Sequence, residues 1–457
     1  MPPWLSPALD YIPQWLAYQM RQSEQPGCSV AVAHRGEVVL EQAFGHADLA
    51  RHEPLTPRHR FRVASHSKTF TAAAMLKLRE QGRLRLDDPA GQYVEGLHPD
   101  VAQVTLAQLL SHSAGLFRDG EDCGYWSDEA PFPDAGQLRA DLALPPAITP
   151  NTRFKYSNHG FGLAGLVIEA IAGEPYVQYV QREIVDAAGL TETLPEFSGS
   201  DAAMARGHSL KLPLGHRVVF PGETSTRAMA AATGFVSTAA DLARFFGQLS
   251  PTAGQSVLSA ASRRELARPQ WRDRHTTWPV SYGLGVIGGT LHGWEWFGHL
   301  GGFQGYLTRT AVVPARDISV SVLTNAADGL STPWLDGVLH ILQTFADAGA
   351  PTPELADWTG RWWNVWGPVD LVPVGGRVLV AMPNLLQPLD KATELTITGA
   401  DSGAISLAGG FRSHGEPVRR ERDANGIVRE VWLAASRMVP EAVLADDLAR
   451  RYVAAGG

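Results

Sequence analysis

Apolar, strand-like runs stand at both ends of the first 345 residues or so and bracket a long helix- and loop-rich stretch. Cys28–Ala33 and Glu37–Phe44 flank Arg35-Gly36, a hairpin signal. Tyr282–Ile287, Trp294–Phe297, Tyr306–Val313 and Ile318–Thr324 have the same β-branched and aromatic character. Between them, from Leu86 to about Gln270, helical and loop composition dominates. A chain patterned this way builds one sheet from both ends and inserts a helical region, an α+β arrangement. Tyr11–Glu24 reads as an amphipathic first helix. Pro333–Phe345 reads as a closing helix, with proline where a helix start tolerates it.

The pattern breaks at Asp347-Ala348-Gly349-Ala350-Pro351-Thr352-Pro353. Beyond it, short strands alternate with turn signals such as Gly375-Gly376 and Asn425-Gly426, the mark of a small antiparallel β-barrel or sandwich. The expected division is 1–348, a linker at 349–355, and a barrel over 356–457. Length agrees, since 457 residues suit two or three domains.

The densest chemistry is Ser65-His66-Ser67-Lys68, at the start of a helical run. Residues i and i+3 share a helix face, so the Lys68 amine reaches the Ser65 hydroxyl. A lysine in a water-poor pocket loses its charge more easily and can take the serine proton. The helix N-terminus adds free N–H groups and positive potential where an oxyanion forms. A second cluster, Tyr156-Ser157-Asn158, precedes the apolar run Phe161–Ala172. Its phenol can carry protons and its amide can orient a substrate carbonyl. A third, His299-Leu300-Gly301-Gly302, precedes Tyr306–Val313, and its glycine pair lets a substrate approach strand backbone closely.

In this order the clusters resemble the S-x-x-K, Y-x-N and K/H-x-G motifs of the serine β-lactamase and penicillin-binding-protein superfamily. The resemblance is closest to the class C β-lactamase-like hydrolases, which include D-aminopeptidases, DD-peptidases and esterases. Gly82–Pro89, Leu109–Leu116 and Thr233–Leu242 look like further segments of that group, so the likeness runs from about residue 10 to about residue 345. It implies a β-lactamase/transpeptidase-like sheet flanked by helices, and covalent acyl transfer without metal or cofactor. Ser65 is then the nucleophile and Lys68 the first candidate base, with Tyr156 passing the proton to the leaving group. The backbone N–H groups of Ser65 and Gly302 form the oxyanion hole. Asn158 and Gly301 bind substrate, and His299 supports Tyr156 or takes a substrate carboxylate. Histidine at the third motif looks more like peptidases and esterases than like true β-lactamases. The expected activity is a D-aminopeptidase- or DD-peptidase-like cleavage of a small-molecule or short-peptide substrate. A carboxylesterase, a weak β-lactamase and a non-catalytic β-lactam- or muropeptide-binding protein are the alternatives. Trp358-Thr359-Gly360-Arg361-Trp362 looks like the Gly-x-Trp opening of lipocalin-like barrels.

A net charge of −8 with both signs interspersed argues against nucleic acid or an anionic membrane as partner. Two cysteines make no disulfide framework, and the first ten residues carry no signal-peptide pattern, so a cytoplasmic location is expected. Gly283-Leu284-Gly285-Val286-Ile287-Gly288 fits G-x-G-x-x-G but has no following helix, which a dinucleotide site requires. Trp294 and Trp296 are candidates for lining a pocket or for core packing.

Overall fold

The computed structural model describes all residues except 198, 200–202, 223, 279, 411–412 and 454–457. In chain order the strands of the first part are β1 (Gly27–His34), β2 (Glu37–Asp48), β3 (Glu53–Pro54), β4 (Phe61–Arg62), β5 (Val236–Ser237), β6 (Trp271–Arg272), β7 (Ser281–Tyr282), β8 (Ile287–Leu291), β9 (Trp294–Phe303), β10 (Tyr306–Val313) and β11 (Ile318–Thr324). Nine of them form one antiparallel sheet, ordered β3-β2-β1-β11-β10-β9-β8-β7-β6. N-terminal and C-terminal strands therefore meet at its centre, where β1 pairs with β11 from Cys28 opposite Thr324 to His34 opposite Ile318. Both central strands are buried along their whole length, which explains their near-continuous apolar sequence. Arg35 and Gly36 both take positive φ, 54° and 87°, the twist that a two-residue hairpin turn needs. The helix Ala239–Gln248 lies across β1, β10 and β11. The helices Ser67–Glu80 and Asn158–Ala172 pack on each other in the inserted region. Phe70 of the former stacks between Phe235 and Phe245, at 4.2 and 4.0 Å.

Where a single strand was expected over Tyr282–Ile287, two short strands flank a loop. Gly285 sits at φ 70°, and a Cβ there would fall 2.6 Å from the Ala72 Cβ and 2.8 Å from the Lys68 carbonyl. The Thr69 hydroxyl donates to the Gly285 carbonyl at 2.7 Å. Gly285 of this G-x-G-x-x-G run thus seats a loop against the helix that carries Lys68.

The last eight strands, β12 (Gly360–Asn364), β13 (Gly367–Val374), β14 (Arg377–Ala381), β15 (Thr393–Gly399), β16 (Ser402–Leu407), β17 (Pro417–Arg422), β18 (Val428–Leu433) and β19 (Ser436–Met438), form an antiparallel meander in sequence order. Trp363 and Val439 exchange two backbone hydrogen bonds, at 2.7 and 2.8 Å, which nearly closes the meander into a barrel. Its interior is a separate cluster that includes Trp358, Trp362, Leu371, Val378 and Leu395.

Contacts group the chain into two compact units. One is Gln25–Leu335, with the nine-stranded sheet and the inserted helices. The other is Met1–Glu24 with Asp336–Gly457. The segment 349–355 lies inside the second unit. Its first helix, Leu5–Ser23, is tied to distant sequence. The Trp15 indole N–H donates to the Leu385 carbonyl at 3.1 Å, and the Tyr11 hydroxyl donates to Asp370 at 3.0 Å. Among the described residues no single helix is long and apolar enough to cross a membrane.

Candidate active site

Strand β4 pairs with β5 and leads the chain into a sharp turn at Ala64, whose φ is 47°. A non-glycine residue at positive φ is strained and persists only where its surroundings hold it. Several hydrogen bonds do so. Val63 N–H donates to the Phe235 carbonyl at 3.1 Å. The Ser67 hydroxyl donates to the Ala64 carbonyl at 2.6 Å and accepts from Phe235 N–H at 3.1 Å. The His66 ring bonds the Val63 carbonyl at 2.9 Å and Thr310 Oγ1 at 3.0 Å. Burial lowers the pKa of His66 to about 4, so the ring is a neutral brace. The 3₁₀ turn Ala64–His66 runs straight into the helix Ser67–Glu80, and Ser65 stands at the junction.

Two side chains converge on the Ser65 oxygen. Lys68 Nζ lies 3.0 Å from Ser65 Oγ, and the Tyr156 hydroxyl donates to it at 2.9 Å. Lys68 is wholly buried, and its Nζ also donates to the Ala232 carbonyl at 2.9 Å. Burial drives its pKa well below the ordinary lysine value. The Asp119 charge opposes this, and Arg118 adds to it. Tyr156 moves the other way. Burial raises its pKa, against the lowering effects of the Ser65 hydrogen bond and of Arg118. The two shifts favour a neutral amine beside a neutral phenol, a base and an acid on one hydroxyl.

The helix Asn158–Ala172 begins just after Tyr156, capped by Ser157 Oγ, which accepts from Gly160 N–H at 2.8 Å. His112, from the Leu109–Leu116 segment, packs tilted against the Tyr156 ring with centroids 4.1 Å apart, and its Nδ1 accepts from Ser157 N–H at 3.1 Å. The Asn158 amide N–H donates to Asp119 at 2.6 Å, while its Oδ1 is buried and accepts no hydrogen bond. The amide nitrogen expected on a substrate carbonyl is thus engaged by a carboxylate. Arg118 and Asp119 escaped the sequence reading. Their one signal is an adjacent Arg-Asp pair just beyond Leu116. The Arg118 guanidinium bonds Asp119 at 3.0 Å and lies over the Tyr156 ring at 5.4 Å.

Strand β8 leaves β9 after Gly298, so His299–Phe303 keeps only β10 beside it. His299 is buried. One ring nitrogen, Nε2, bonds the Tyr282 hydroxyl at 3.0 Å, and Nδ1 bonds the Leu300 carbonyl at 2.7 Å. Burial lowers its pKa well below the usual histidine value, with His66 and Lys68 adding to the shift. Its hydrogen-bond partner is therefore Tyr282, whose ring meets Tyr156 edge-on at 6.4 Å. Sequence reasoning placed Tyr282 in a strand and gave it no role. Gly301 packs on the turn before the nucleophile, where a Cβ would lie 2.1 Å from the Val63 carbonyl. Gly302 is exposed, with only Leu307 within 4 Å of its Cβ position. Replacing Gly301 by alanine must push β9 away from Ser65. We expect a stability loss of about 1–3 kcal/mol and a fall in kcat/KM of roughly a hundredfold. Thermal unfolding and ester turnover measure the two effects, and Gly302→Ala should leave Tm unchanged.

Ser65, Tyr156, Asn158, His299 and Gly302 all line one cavity of about 450 Å³. Lys68 lies buried under Ser65, and Gly301 lies behind the cavity wall. The tryptophans at this cavity are Trp126, Trp271 and Trp278, and the candidates Trp294 and Trp296 do not line it. Trp294 and Trp296 instead carry the guanidinium groups of Arg316 and Arg309. Among the described residues no three His, Cys, Asp or Glu side chains stand together as a metal site.

The family described as Beta-lactamase matches residues 12–336. Protein flp of Staphylococcus aureus strain N315 is 26% identical over 186 residues, 39% of this chain and 36% of flp. The chain thus spans about a third of that relative's length. Among solved structures, an octameric penicillin-binding protein homologue from Pyrococcus abyssi superposes with a TM-score of 0.65 at 22% identity, over 94% of this chain and 99% of its own. A D-stereospecific amidohydrolase from Streptomyces sp. gives 0.56 at 28% identity, over 66% of this chain and 90% of its own.

Proposed function

Because the chain belongs to the Beta-lactamase family, we propose that it is a serine hydrolase that cleaves a small amide or ester through an acyl-enzyme on Ser65. The reading nearest the observations is a D-aminopeptidase- or DD-peptidase-like peptidase. The observation that carries it is the convergence of Lys68 Nζ and the Tyr156 hydroxyl on the Ser65 oxygen, at 3.0 and 2.9 Å. Neutral Lys68 accepts the Ser65 proton as Oγ attacks the carbonyl carbon. The backbone N–H groups of Ser65 and Gly302 hold the carbonyl oxygen as it gains charge. Tyr156 gives its proton to the departing amine or alkoxide and regains one from Lys68. A water molecule then attacks the acyl carbon, the same groups run in reverse, and the acid is released.

Two observations favour amides and esters over β-lactams. His299 is held neutral with both ring nitrogens engaged, so the third motif offers no cation to a β-lactam carboxylate. The Streptomyces amidohydrolase, at 28% identity, supports the amide reading and the D stereochemistry. The test is a panel of D- and L-aminoacyl amides, short esters and a chromogenic cephalosporin. We expect turnover of amides or esters with D preferred over L, and the cephalosporin slowest. Folded protein that turns over none of them and takes up no fluorophosphonate contradicts the reading.

A further inference from the structure

A second cavity, of about 290 Å³, adjoins the first. The two share two residues, Trp126 and Gly302, while Ser65 and Tyr156 belong only to the first. Trp126 is the wall between them, and it is firmly set. Its indole N–H donates to Asp119 at 3.0 Å, and its ring meets Phe132 and Phe303 edge-on at 5.2 and 5.9 Å. Phe132 and Phe303 stack nearly parallel at 5.8 Å. The Gln304 amide donates to the Tyr125 carbonyl at 2.9 Å, which ties the Trp126 turn to the β9–β10 hairpin. Beyond this wall the cavity presents Phe220, Phe303 and Ala327, with Ser127 and Asp128 at its polar side. Among the described residues, Asp128 is the one charged side chain that lines it.

We infer that this second cavity receives the acyl side of the substrate, and that it takes an aromatic or aliphatic acyl group that is neutral or cationic, not anionic. The inference rests on the hydrolase reading above. The leaving group must collect its proton from Tyr156, so it occupies the cavity that Tyr156 lines. The carbonyl sits between Ser65 and the Gly302 N–H. The acyl chain then leaves the reacting carbon on the far side of Gly302, past Trp126, where the second cavity lies. Apolar rings favour an apolar acyl group by burial. The Asp128 carboxylate disfavours a second one beside it and favours an ammonium.

The test uses two ester series on the full chain. In one, a p-nitrophenol leaving group is constant and the acyl group is acetyl, phenylacetyl, phenylalanyl or succinyl. In the other, the acetyl group is constant and the leaving alcohol grows. Ser127 is exposed, so Ser127→Trp fills the cavity from its rim. We expect it to lower the phenylacetyl-to-acetyl ratio of kcat/KM at least tenfold and to leave the ratios of the alcohol series unmoved. Phe220→Ala enlarges the cavity and should raise the same ratio severalfold, which covers a Ser127→Trp protein that fails to fold. Asp128→Asn should narrow the preference for phenylalanyl over succinyl. An unchanged acyl ratio in both size variants, or a shift in the alcohol series instead, overturns the assignment. Fluorophosphonate labelling of Ser65 is run alongside. Unlabelled wild-type protein means the hydrolase reading has failed, whereas labelled Ser65 with unmoved ratios refutes only the cavity assignment.

Discussion

Ser65→Ala removes turnover of the best ester or amide by on the order of a thousandfold or more, the loss seen when a covalent nucleophile is deleted. Among the described residues, the serine is the one hydroxyl that both Lys68 Nζ and the Tyr156 phenol reach. Ser67, two residues on, is no substitute. Its hydroxyl is buried, donates to the Ala64 carbonyl and accepts from Phe235 N–H, so it braces the turn. Steady-state turnover of purified variant and wild type, with circular dichroism to confirm folding, checks the result. Turnover within tenfold of wild type would remove Ser65 from the mechanism.

Lys68→Ala and Tyr156→Phe should each lower kcat by roughly a hundredfold or more, and the double variant should be little worse than the worse single. The two groups share one oxygen and one proton path, so deleting either disables the same step. The pH profile carries the sign. Lys68 must be unprotonated to act, so activity is lost as pH falls through its pKa. Burial places that limb well below the ordinary lysine value. Tyr156 must be protonated, and burial raises its pKa, so the alkaline limb lies above the ordinary tyrosine value of about 10. Wild type should therefore show a broad plateau, and Tyr156→Phe should lose the alkaline limb while keeping the acid one. Fully multiplicative losses in the double variant would show two independent roles.

Much of this architecture is legible in the sequence because its signals are local or periodic. Tyr306–Val313 and Ile318–Thr324 are strands over the very residues expected, since buried strands at the centre of a sheet read as unbroken apolar runs. The Ser65–Lys68 spacing announces its contact because three residues is one helical step. What stayed hidden depends on distant pairing. Asp119 lies 39 residues before Asn158, and only folding brings the two carboxylate and amide groups to 2.6 Å. Tyr282 was masked by a strand-like run whose glycines in fact break it, so that Gly285 can touch the Lys68 helix. Trp271 and Trp278 reach the cavity from a segment with little regular structure of its own, while Trp294 and Trp296 looked better placed only because they precede His299 in sequence. The tie between Trp15 and Leu385 spans 370 residues and has no periodic signature at all.

The most direct test of the mechanism is to catch the acyl-enzyme. Protein mixed with excess of its best ester, quenched in acid within a turnover and digested, is read by peptide mass spectrometry. The account predicts a mass increase equal to the acyl group on the peptide that contains Ser65, building up further in Tyr156→Phe if deacylation is slowed more than acylation, and absent in Ser65→Ala. Turnover with no adduct on that peptide, together with an acyl group or fluorophosphonate found on another residue, would contradict it.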